Sequence, residues 1–68
     1  MAEEFRGDLP NIGRPALRAL EGEGYVRLEQ LTSVSEQDLL RLHGVGPKAV
    51  RILRETMAER GMSFASDE

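Results

Sequence analysis

The chain has 68 residues, a formal net charge of −3, 40% hydrophobic and 31% charged residues, no Cys and no Trp. One domain fills that length, and a chain of about 60 residues buries only about 60% of the surface it exposes when unfolded, so a deep pocket and self-contained small-molecule catalysis are not expected. Without Cys there is no disulfide frame, thiol nucleophile or Cys-based zinc site, and helix packing has to hold the fold.

In chain order, residues 1–8 are acidic and lack an apolar run, and no stretch approaches the roughly 18 apolar residues of a membrane span. The expectation is a cytoplasmic protein with no membrane partner. Pro15 sits where a missing N–H costs nothing, in a first helical turn, and Ala16, Leu17 and Leu20 follow at helical spacing. This predicts a helix over 14–23, with Gly24 at C′ and Tyr25 packing back on Leu20. A short amphipathic turn at Leu28 and Leu31 precedes Ser35-Glu36-Gln37-Asp38, an N-cap with an acidic third position. The helix it opens carries Leu39, Leu40 and Leu42 and is expected to end at Gly44. The last helix begins at Pro47, buries Ala49, Ile52, Leu53 and Met57, and ends at Gly61, after which Met62 and Phe64 fold back. No strand pattern competes, so the fold class is all-α. Residues 1–8 read as an N-terminal segment, 9–64 as the domain and 65–68 as a flexible tail.

An acidic balance argues against a nucleic-acid partner only if the charge is spread evenly. It is not. Residues 9–20 carry +2 and residues 42–54 carry +3, leaving −8 elsewhere. These basic segments align at an offset of 33: Leu9, Gly13, Ala16, Arg18 and Leu20 recur as Leu42, Gly46, Ala49, Arg51 and Leu53. Asn11 lies over Gly44, and Asn is the side chain that best tolerates positive φ, which predicts one backbone shape for both turns. Two copies are too few for a solenoid of 33-residue repeats and indicate a pseudo-symmetric pair.

Gly44-Val45-Gly46 joins two predicted helices through a tight turn, with Val45 pinned between them. Amides of the turn and of the next helix's first residues are then left open at the positive end of the helix dipole, which is an anion site. Lys48 and Arg51, three positions apart, bring charge over the same phosphate, and the absent Cβ atoms allow a sugar-phosphate strand to come close. Asn11, Ile12, Gly13, Arg14 and Arg18 occupy the equivalent places in the first copy, where Pro15 removes one donor. Gly44 to Ala49 also fits a dinucleotide fingerprint, but that motif must follow a strand and open a βαβ unit, which a helical context excludes. His43 stands without a second metal ligand. The carboxylate pairs Glu3 with Glu4 and Glu36 with Asp38 have no pocket or nucleophile beside them. No catalytic residue, metal or cofactor is assigned.

The pattern Leu42-x-Gly44-Val45-Gly46-x-Lys48-Ala49-x-x-Ile52-Leu53 resembles the helix-hairpin-helix motif, and two copies with a connecting helix resemble its paired form. From Gly24 to Phe64, including Arg60-Gly61-Met62-Ser63-Phe64, the chain is also similar to the C-terminal domain of the bacterial RNA polymerase alpha subunit. The likeness covers about 55 of the 68 residues. It implies a compact four- to five-helix, SAM-like domain. It also implies contact with duplex DNA phosphates along the minor groove, without strong sequence specificity, through Gly44, Val45, Gly46 and Lys48 and through Asn11, Ile12 and Gly13. The alpha-subunit domain uses an Arg at the start of its first helix, and Arg14 lies near that place. With about three or four phosphates neutralised, the expected salt slope is near −3 and the affinity about 10⁻⁴ to 10⁻⁶ M. Such a protein would associate with the nucleoid. The alternative is an adaptor of the same fold whose acidic faces, 21–41 and 55–68, bind a transcription or repair protein.

Overall fold

Backbone chemistry within single turns sets most of the helix boundaries. In the computed structural model, which describes residues 8–65, four helical segments follow one another. They are α1 (Arg14–Gly22), a 3-10 helix (Leu28–Ser33), α2 (Glu36–Leu40) and α3 (Pro47–Glu59), and no strand occurs among the described residues. The all-α class stands. Residues 1–7 of the expected N-terminal segment and 66–68 of the expected tail lie outside the described residues.

Prolines open α1 and α3, and the same C-terminal device closes both helices. Gly24 and Gly61 take positive φ, 90° and 74°. The Tyr25 N–H reaches back to the Leu20 carbonyl at 2.8 Å, and the Met62 N–H to the Met57 carbonyl at 2.8 Å. With the Gly24 and Gly61 amides bonded to Glu21 and Ala58, each end is a complete Schellman motif, and Tyr25 and Met62 pack on the core. Between α1 and the 3-10 helix, Gln30 does the capping: its Oε1 accepts from the Val26 and Arg27 N–H groups, and its Nε2 donates to the Gly24 carbonyl. Ser35 caps α2 as its spacing predicts, its Oγ accepting from the Asp38 N–H at 3.1 Å.

Leu20, Leu28, Leu31, Leu39, Leu53 and Met57 are the largest fully buried side chains, so every helical segment contributes to one core. Two details depart from the sequence pattern. On α3 the buried set is Ala49, Val50, Leu53 and Met57, and Ile52 is half-buried, because positions 49, 50, 53 and 57 share one helical face and Ile52 lies at its flank. The third helix also ends at Leu40 and not at Gly44. Arg41 and Leu42 donate to Asp38 and Leu39, three residues back, and this tightened turn ends the α-helix before the glycine reverses the chain.

Hydrogen bonds also reach the residues that flank 9–64. Asp8 donates its N–H to the Val26 carbonyl, accepts the Leu28 N–H on Oδ1 at 2.7 Å, and pairs through Oδ2 with Arg60 at 3.0 Å. At the other end Ala65 donates to the Val34 carbonyl at 2.9 Å.

Candidate nucleic-acid interface

The repeated segments meet in space. A Cβ placed on Gly44 would lie 2.9 Å from the Pro15 carbonyl oxygen and 3.2 Å from its carbonyl carbon, so the turn before α3 rests against the first turn of α1. Gly44 also has φ +97°. Glycine is therefore required there twice over, by conformation and by packing. This departs from the expectation that the missing Cβ at Gly44 admits a nucleic-acid strand, since the space a Cβ would take is filled by α1.

The predicted match of backbone shape between the turns fails as well. In the first turn the positive φ belongs to Gly13, at +97°, and no residue other than glycine has positive φ among the described residues, Asn11 included. Asn11 serves the turn through its side chain, whose Oδ1 faces the Gly13 N–H at 3.4 Å, a long contact. In the second turn the left-handed residue is Gly44, while Gly46, the residue aligned with Gly13, is extended at φ −109°, ψ 180°. No α-helix precedes the first turn within residues 8–13, whereas α2 precedes the second.

Gly46 is the N-cap of α3, with no side chain capping it, and a Cβ added there would meet nothing within 4 Å. The amides of Gly44, Gly46 and Lys48 donate to no acceptor among the described residues. Val45 differs. Its side chain is buried, as predicted, but its N–H is bonded to the Leu42 carbonyl at 3.1 Å, so its amide is not an open donor. Gly13 is the N-cap of α1, also without a side-chain cap, and Ile12 is half-buried against the core.

Lys48, Arg14 and Arg18 are exposed and have no carboxylate within ion-pair distance among the described residues. Arg51 is exposed and faces Glu55 at 3.7 Å, a loose pair of little energy. Arg54, counted in the basic segment, is held by Glu36 at 3.0 Å across the gap between α2 and α3. The acidic faces of the adaptor reading are partly neutralised in the same way, because Glu36, Asp38 and Glu55 each face an arginine.

Sequence reasoning did not find the positioning role of Pro15. Its signal lies in a contact between residues 29 positions apart, which no local pattern carries. His43 is exposed, and no group of three potential metal ligands converges among the described residues. No described helix is long and apolar enough to cross a membrane. No protein-family model, curated protein or solved structure matches the chain.

Proposed function

We propose that this chain binds duplex DNA through its phosphates, along the minor groove and without strong sequence specificity, through the α2–turn–α3 hairpin with the start of α1 beside it. The site comprises the open amides of Gly46 and Lys48, the side chains of Lys48 and Arg51, and the start of α1 with Gly13, Arg14 and Arg18.

Gly46 carries the reading. Neither its backbone angles nor its neighbours require glycine, and an N-cap ordinarily gains from Ser, Thr, Asn or Asp. A side chain there would instead occupy the approach to the first amides of α3. With glycine they stay open at the positive end of the dipole, beside a lysine that no described carboxylate neutralises. The contact of Gly44 with Pro15 supports a single continuous surface, because it fixes the start of α1 against the turn that leads into α3.

A Gly46→Ser variant separates binding from folding. Its hydroxyl can cap α3, so its stability should equal or exceed that of the parent by a few tenths of a kcal/mol. Its affinity for a short duplex at low salt should fall several-fold, because the serine competes for the amides. In an amide-shift titration of the parent, perturbations should cluster at residues 11–18 and 44–51. Unperturbed amides in both segments at low salt, or a Gly46→Ser variant with parental affinity, would overturn the reading.

A further inference from the structure

We infer that the face between α2 and α3 docks an acidic, leucine-bearing helical segment of another protein. This inference goes beyond DNA binding and does not depend on it. Leu40 is the one large apolar side chain exposed among the described residues, at 42%. It lies on α2 one turn from Glu36, and α3 runs beside it with Pro47, Arg51 and Arg54 at helical spacing. Two shallow grooves of about 500 Å³ and 510 Å³ share Leu40 and the Glu36–Arg54 ion pair. One extends to Pro47, Val50, Lys48 and Arg51, and the other to Gln37 and the Ser63–Ala65 segment that follows α3.

The apolar floor and the charged rim together select the occupant. Leu40 and Pro47 offer a seat for an aliphatic side chain, while three cations, Lys48, Arg51 and Arg54, stand against two carboxylates, Glu36 on Arg54 and Glu55 loosely on Arg51, which leaves Lys48 in excess. A segment with apolar residues at i, i+4 and i+7 and carboxylates between them matches both features. A second copy of this chain does not match. Leu40 against Leu40 would bring the same three cations into opposition, and no other large apolar side chain is exposed among the described residues to complete the contact. A sugar-phosphate strand can use the cations but gains nothing from the Leu40 seat. Because Lys48 and Arg51 line this groove and also belong to the proposed phosphate site, peptide and duplex should compete.

The test uses the full chain and a synthetic peptide carrying Leu at i, i+4 and i+7 with Glu at the remaining positions. Amide shifts should appear at Leu40, Arg51, Arg54 and Phe64. Leu40→Ser and Leu40→Gln, both neutral changes at an exposed position, should each weaken the peptide by about tenfold and leave duplex affinity at its parental value. An all-Glu/Ala peptide should bind about tenfold more weakly than the Leu peptide. Equal binding of the two peptides, or Leu40 variants that bind the Leu peptide as the parent does, would overturn the inference. The two proposals fail separately: loss of duplex shifts at 44–51 with peptide shifts retained at Leu40 removes only the DNA reading.

Discussion

The turn leading into α1 and the turn leading into α3 share a phrase of sequence and use it differently. In the second turn the left-handed residue is Gly44, two positions before the N-cap, and it is pressed against the Pro15 carbonyl. In the first turn the left-handed residue is Gly13, the N-cap itself, and the nearest atom to a Cβ there would be Pro15 Cδ at 3.9 Å, an ordinary contact. Of the three glycines, one is therefore demanded by conformation and packing, one by conformation alone, and Gly46 by neither. The same residue type answers three physical requirements, and only the last leaves room to explain the glycine by something outside the fold.

The sharpest way to break this comparison is alanine substitution at the two left-handed positions. Gly44→Ala should cost about 2–4 kcal/mol, combining a disfavoured φ with a sub-van-der-Waals approach to Pro15. Gly13→Ala should cost about 1–2 kcal/mol, because only the backbone term operates. Denaturant unfolding of both variants measures the difference, and equal losses would refute the packing role of Gly44. Charge reversal then compares the turns as binding elements. Lys48→Glu should weaken duplex binding by about tenfold and reduce the salt slope by about 1, whereas Arg14→Glu should weaken it about threefold. The Asn11 contact to the Gly13 amide leaves the first turn with one fewer open donor. Binding isotherms at several salt concentrations give both quantities. Asn11→Ala should have the smallest effect, a loss of a few tenths of a kcal/mol, because its side-chain contact is long and exposed.

Features whose causes act within one helical turn were legible from the residues. Ser35 as N-cap, Pro15 and Pro47 at helix starts, the two Schellman endings at Gly24 and Gly61, and burial of Val45 all follow from local chemistry. What pattern alone missed depends on distant partners. The close packing of Gly44 on Pro15 joins residues 29 positions apart. The burial of Val50 in place of Ile52 is decided by the azimuth at which α3 meets α2. For the site, the basic segments were visible in the charge distribution. The loss of Arg54 to Glu36, 18 positions away, needed the tertiary arrangement, whereas the Val45 amide is taken by Leu42 within the turn itself. Alignment of Asn11 with Gly44 misled because Asn can serve a turn by its side chain as well as by its backbone.

Asp8 ties three parts of the chain with one carboxylate, and its pairing with Arg60 spans 52 positions, while Gln30, Ser35 and the helix ends make bonds across six or fewer. Closure over that distance loses the most chain entropy and cannot precede assembly of the elements it joins. Asp8 is thus placed to act on the lifetime of the folded state more than on the speed of reaching it. Asp8→Ala should raise the unfolding rate and leave the refolding rate near its parental value, as a chevron plot would record. The durability of the domain then rests partly on a residue just ahead of the first turn that bonds to neither turn.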